Sequence, residues 1–308
     1  MKTILLGLVL CSSLFALDFT QYHTQDQING YLQQLAQDNP TIVHFYHLGD
    51  SDEGRPINYI TLTKGSEQLP GLFFNGTHHG DEWSATESIL GLTDYLITHK
   101  DDPTVSALLT KYVFYLEPLV NPDGHFHHTR EDVNGADPNR DYSYPDGQDG
   151  AFKTKIIALM KTLIDSHKFR AAAAYHSGIQ EVLWSWCYTA DTAPQKDVLY
   201  TMGKTAATAM GFDRYLQSFD DYATTGEFID YAYMTQGTLA LTFEVSTVKT
   251  PPVSELAGIV SNSIQGAMAF AEAVESYDAG TLNIEQAPNY STLDTRLSLW
   301  SFLGHKLE

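Results

Sequence analysis

The sequence predicts one α/β domain with a mixed, mostly parallel central sheet and helices on both of its faces. Three observations predict it. Apolar runs of strand length alternate with helix-spaced segments along most of the chain, the pattern of a sheet covered by helices. With 308 residues, 43% hydrophobic and 18% charged, the chain can bury a full core. No repeat, linker or composition shift divides it.

Taken in order, residues 24–38 place Ile28, Tyr31, Leu32 and Leu35 at helical spacing, and Asn39-Pro40 ends them. Residues 41–47 and 57–63 have strand character and flank a polar turn at 49–54. Residues 72–75 form a third strand, followed by a helix carrying Ala85, Ile89, Leu90, Leu92 and Leu96. A short helix at 105–111 and a strand at 112–116 come next. Residues 121–150 lack periodicity and are rich in Asn, Asp, Gly, Pro and His; an irregular stretch of that length in a compact domain points to function or disorder. Helical spacing returns at 152–164. The small-residue run 171–175 predicts a strand deep in the sheet, and 182–187 another strand. Helices at 196–210 and 228–235, a strand at 239–245 and a long helix at 254–276 complete the domain, expected over 17–278. Residues 279–308 are an extension with a late apolar cluster at Leu297, Leu299, Trp300, Phe302 and Leu303.

The formal charge of −20 excludes nucleic acid or an anionic lipid surface as partner. Residues 1–16 have the order of a signal peptide: Lys2, an apolar stretch from Ile4 to Leu10, and the small residue Ala16. That stretch is too short to span a bilayer, and no later segment is long enough, so no stable membrane insertion is expected. Removing residues 1–16 takes Cys11 with it and leaves Cys187, which cannot form an intramolecular disulfide. Cys187 lies in the apolar run 183–187, where a small buried hydrophobe is expected rather than a nucleophile. A secreted or periplasmic location is therefore expected, with a monomer stabilised by its core.

Polar groups stand at three expected strand ends, where open α/β sheets build their sites. His79 and Glu82 follow the strand 72–75, three residues apart. On a first helical turn both side chains would point the same way. An imidazole and a carboxylate so placed suit zinc and leave a third ligand to come from elsewhere. His176 follows the strand 171–175, and Glu244 sits inside the apolar run 241–245, where a charge is costly without a partner or a task. His78 adjoins a candidate ligand, but the His-x-x-Glu register selects His79. His125, His127 and His128 lie in a polar loop and are expected to be ordinary loop histidines.

These residues and four further motifs resemble the zinc metallocarboxypeptidases, the family of carboxypeptidase A, over about residues 20–278. His79-x-x-Glu82 matches the family's paired ligands and Tyr175-His176-Ser177 its third. Asn121-Pro122-Asp123-Gly124 matches a family signature. Asn134-Gly135-Ala136-Asp137-Pro138-Asn139-Arg140 is similar to another, with Arg130 nine residues before Asn139. Thr242-Phe243-Glu244 matches the stretch with the catalytic glutamate; Tyr222, twenty-two residues earlier, and Asp230 also align. Each motif is short, but jointly, in this order and spacing, they are specific.

The resemblance implies one zinc ion per chain held by His79, Glu82 and His176. It makes Glu244 the base that takes a proton from the zinc-bound water and passes it to the leaving amine. Arg130 stabilises the oxyanion, Asn139 and Arg140 bind the substrate's terminal carboxylate, and Tyr222 closes over that end. Ile229, beside the aligned aspartate, is the expected wall of the side-chain pocket and favours an apolar residue; Glu227, if it points inward, favours a basic one. The expected function is hydrolysis of the C-terminal bond of peptides. The rivals are a carboxypeptidase trimming peptidoglycan-derived stem peptides, an N-acyl amino acid deacylase, and a peptide-binding module without catalysis. The short segment between Ala16 and the first helix leaves no room for a folded inhibitory prosegment, so no such activation step is expected.

Overall fold

The computed structural model describes residues 17–147 and 150–288. Eight strands, β1 (Val43–Asp50), β2 (Pro56–Leu62), β3 (Gly71–Gly76), β4 (Val113–Glu117), β5 (Phe169–His176), β6 (Gln180–Trp184), β7 (Tyr215–Gln217) and β8 (Leu239–Val245), make one sheet. Its order is β1-β2-β4-β3-β5-β8-β6-β7. The central run β4-β3-β5-β8 is parallel throughout; β1 pairs antiparallel with β2, β2 with β4 and β6 with β8, while β7 runs parallel to β6. The carboxyl ends of four adjacent strands therefore meet on one edge.

Alternation along these strands decides which side chain faces which layer. Leu72 and Phe74 of β3, Ala171, Ala173 and Tyr175 of β5, and Leu239, Leu241 and Phe243 of β8 share one core cluster. It is covered by α1 (Gln25–Asp38), α2 (Trp83–Thr98), α3 (Pro103–Lys111), α6 (Lys196–Met210) and α9 (Val253–Asp278). Phe73, Ala172, Ala174 and Ala240 face the other layer, where α5 (Lys155–Ser166) and α8 (Phe228–Gln236) pack. The alanines of β5 keep the middle of the sheet thin, so α2 and α8 pack against it from opposite sides. Each fully buried Leu or Phe in these layers contributes about 1.5–3 kcal/mol.

Local chemistry explains the boundaries. Thr24 and Gln27 form a reciprocal capping box at the start of α1, and Gly211 and Gly237, in left-handed conformation, end α6 and α8. Several expectations need correction. Helix α2 begins at Trp83, so His79 lies in the loop before it and Glu82 is only its N-cap. The stretch 121–150 contains a short helix, α4 (Pro122–His127), and a 3-10 turn at Pro138–Arg140. Strand β6 stops at Trp184, leaving Cys187 buried beyond its end. Strand β7 and the short helix α7 (Ser218–Asp221) have too few residues to show a period. Residues 281–287 carry no helix or strand but are pinned to α6, where Thr201 and Asp197 accept the amides of Glu285 and Ala287 at 2.9 and 3.0 Å. The expected signal peptide and residues 289–308 lie outside the described residues. No helix among the described residues is long and apolar enough to cross a membrane.

Candidate metal centre

The loop from β3 to α2 is shaped by an unusual backbone. Thr77 has φ +61°, a conformation costing a β-branched residue about 1–3 kcal/mol. Its hydroxyl lies 2.7 Å from that of Thr86, and its amide reaches the Tyr175 carbonyl at 3.4 Å. Gly80 passes so close to α4 that a Cβ would lie 2.0 Å from the Gly124 carbonyl carbon; only glycine fits. Asn121 braces the same region, donating to the carbonyls of His78 and Glu131 at 3.2 Å each and accepting from the Gly124 amide at 2.9 Å.

The result brings His79, Glu82 and His176 together, all buried, with one ligand atom from each within 4.8 Å of the others. Among the described residues this is the one such group of metal-ligating side chains. Glu82 Oε1 lies 2.8 Å from His79 Nδ1 and Oε2 lies 2.9 Å from His176 Nδ1, while the two Nδ1 atoms are 3.1 Å apart. The Ser177 amide also donates to Glu82 Oε2, at 3.1 Å. His79 Nε2 faces Asp137 Oδ1 at 3.1 Å. Both ring nitrogens thus face a carboxylate, but the Arg130 Nη1 donor also lies 3.1 Å from Nδ1; with Asp137 accepting from Nε2–H, Nδ1 is the nitrogen that would turn its lone pair to a metal. Burial lowers the His176 pKa, only partly opposed by Glu82, and the neutral imidazole is the ligating form. Burial acts to raise Glu82, but His79 and His176 outweigh it and hold the carboxyl well below its usual range. Burial acts to lower the His79 pKa, but Glu82 and Asp137 outweigh it and raise it; a bound cation would displace that extra proton, and two neutral imidazoles with one ionised carboxylate would then fit a zinc ion.

The other candidates surround this group. Arg130 donates to Asp137 Oδ2 from Nε at 3.0 Å and Nη2 at 2.9 Å, and its Nη1 lies 3.1 Å from His79 Nδ1 and 3.5 Å from Glu82 Oε1. Asn139 Nδ2 stands 3.4 Å from His176 Nε2, and its Oδ1 accepts the Phe228 amide at 3.0 Å. Arg140 reaches the hydroxyl of Tyr222 at 3.2 Å; Tyr222 is otherwise 57% exposed. Glu244 is the register partner of His176 on the neighbouring strand, and its Oε2 has no protein partner. Burial pushes its carboxyl well up, and Glu82, Glu181, Glu227 and Asp221 push in the same direction. His78 stays outside the group and pairs with the Tyr142 hydroxyl at 2.8 Å. His125 and His128 pack on Trp83, and His127 meets Glu53.

Ile229, in the first turn of α8, is 1% exposed and belongs to the core cluster that includes Phe73, Phe228 and Tyr231. Two residues carry more than the sequence assigned to them. Asp137 lies within a quoted motif, yet only the fold shows it joining His79 to Arg130. Glu117 is wholly buried at the end of β4, next in register to Asn75, and no polar side-chain atom of either residue has a protein partner.

Fold and site together define an α/β protein with, among the described residues, one group suited to a metal ion, at the carboxyl edge of its parallel strands. Residues 28–266 match the sequence profile described as zinc carboxypeptidase, and the chain belongs to that family. It is 27% identical to carboxypeptidase A1 of Mus musculus over 266 residues, covering 75% of this chain and 64% of the mouse protein. It is also 27% identical to carboxypeptidase B of Astacus astacus over 233 residues, 65% of this chain and 76% of that protein. The chain thus spans less than two thirds of the mouse protein's length. The fold is that of carboxypeptidase A from Helicoverpa armigera, with a TM-score of 0.75, 20% identity, and 84% and 75% of the two chains covered. Bovine thrombin-activatable fibrinolysis inhibitor superposes with a TM-score of 0.76 at 17% identity, covering 84% of this chain and 99% of the other.

Proposed function

We propose that this chain is a zinc-dependent carboxypeptidase that releases the C-terminal residue of peptides. The observation that carries the reading is the placing of two arginines around one His-Glu-His group: Arg130 beside the ligands and Arg140 beyond Asn139. Zinc held by His79, Glu82 and His176 supplies Lewis acidity and lowers the pKa of water to about 7.

The chain's own residues do the rest. Glu244, with a raised pKa and a free oxygen, accepts a proton from the attacking water and returns it to the departing amine. Arg130, oriented by Asp137, presents N–H groups where charge develops on the carbonyl oxygen. Arg140 and Asn139 take the terminal carboxylate through a planar fork and an amide. Tyr222, exposed but bonded to Arg140, closes over that end. Residues 1–16 support a secreted or periplasmic enzyme.

The testing experiment is zinc analysis beside hydrolysis of blocked dipeptides and a muropeptide ending in diaminopimelate. Near one zinc per chain with chelator-sensitive release from the dipeptides is the expected result. Release from the muropeptide alone moves the function to the cell wall, and zinc binding without any release leaves a binding protein. Arg130→Ala is expected to lower kcat by about 10²–10³ with little change in KM, since its interaction strengthens only as the oxyanion forms. A raised KM with kcat unchanged would place Arg130 in ground-state binding instead.

A further inference from the structure

We infer that Arg214 is a positioning residue for Tyr222: it straps Asp221, the residue before the tyrosine, to Glu181 of β6. The inference rests on the carboxypeptidase reading and adds to it the side-chain device that holds the closing tyrosine at the site.

The strap starts from a fixed post. Arg214 immediately precedes β7, which runs parallel to β6, and its carbonyl accepts the Val182 amide at 3.1 Å. Its guanidinium faces two acids at once, Nε toward Glu181 Oε2 and Nη2 toward Asp221 Oδ1. A planar fork with donors on two edges suits such bridging, and an ammonium does not. Among the described residues Arg214 is the one cation paired with either acid. Glu181 is 1% exposed and is the register partner of Glu244, so the two carboxyl groups leave neighbouring strands on the same face. A buried acid beside another acid needs a counter-charge. Glu181 therefore anchors the guanidinium, and its other edge reaches the tyrosine segment.

What the strap holds is short and lightly tied. Asp221 ends α7, a helix of one turn, and the exposed Tyr222 follows it. Backbone bonds pin the segment on both sides: the Phe219 amide donates to the Trp186 carbonyl at 3.1 Å, and the Thr224 amide to the Cys187 carbonyl at 3.0 Å. Between these anchors two side-chain ties join the segment to the rest of the described residues. One is Asp221 to Arg214, the other the Tyr222 hydroxyl to Arg140 at 3.2 Å. A substrate carboxylate competes for Arg140, so the Arg214 strap is the tie that stays during binding. Its loss frees the tyrosine between its backbone anchors and weakens substrate binding, while the metal group is untouched.

Asp221→Asn tests the strap with Glu181 still paired; substituting Arg214 would instead leave a buried acid uncompensated. Burial pushes the Glu181 carboxyl up to about 7, with Asp221 acting in the same direction and Arg214 against it, so measurements are made at about pH 8, where it is ionised. In the zinc-loaded full chain, Asp221→Asn is expected to raise KM for blocked dipeptides about fivefold and to change kcat less than about twofold. In a Tyr222→Ala background the same substitution is expected to leave KM within about twofold. Hydrogen exchange reads the strap without turnover. Residues 218–225 are expected to exchange about threefold faster or more in Asp221→Asn, with α6 at its wild-type rate. Equal KM effects in both backgrounds overturn the assignment. So does unchanged exchange over 218–225, or faster exchange in α6 as well, which would mean general loosening. No release by wild-type zinc-loaded protein removes the carboxypeptidase reading itself, and the exchange result then decides the strap alone.

Discussion

Glu244→Gln is expected to lower kcat by about 10³- to 10⁴-fold while leaving zinc stoichiometry unchanged. The amide keeps the shape of the carboxyl but cannot take up a proton. Glu244 does not belong to the His79, Glu82 and His176 group, so metal binding has no reason to follow it. Its pKa is raised, first by burial and then by Glu82, Glu181, Glu227 and Asp221, which makes its carboxylate a stronger base. Metal analysis of the variant beside its turnover checks both halves. Retained turnover with full zinc would hand the base's role to another residue. Lost zinc would show that Glu244 helps to hold the metal.

The second large effect is on stability. Glu117 is wholly buried, neither of its oxygens has a protein partner, and burial raises its pKa from 4.5 to about 8. The unfolded chain releases this proton near pH 4.5, while the folded chain keeps it until about pH 8. Between those values the folded state binds more protons, so stability falls as pH rises. At about 1.4 kcal/mol per pH unit, the loss accumulates to roughly 4 kcal/mol by pH 8. Glu117→Gln removes this dependence. Its stability relative to wild type is therefore expected to rise steadily from pH 5 to pH 8, measured by urea unfolding at each pH. Other titrating groups are common to both proteins and cancel in the difference. Parallel curves would show that Glu117 is already ionised in the folded state.

Glu117 also shows where sequence reasoning stops. It stands in the strand Val-Phe-Tyr-Leu-Glu, where a terminal glutamate looks like the point at which the chain reaches solvent. Its strand lies between β2 and β3 in the middle of the sheet, and Asn75 and Glu117 sit side by side under the helical layer. Ile229 meets a related limit: a linear position beside a motif says nothing about which way a helix is rolled, and its burial is visible only in the fold. His79 and Glu82 were legible as a pair although the helix expected to align them starts later, because the loop through Thr77 and Gly80 does that work.

The sequence by itself determined the layer architecture, the long elements and the residue types of the metal centre. Period and composition are local properties, and zinc chemistry accepts few ligand types, so both survive in one dimension. Tertiary structure alone decided that Asp137 orients both His79 and Arg130, that Ile229 belongs to the core, and that Glu227 leans on Arg140. Each is a side-chain direction set by contacts between segments distant in the chain. Packing chooses among directions that local sequence leaves equal in energy.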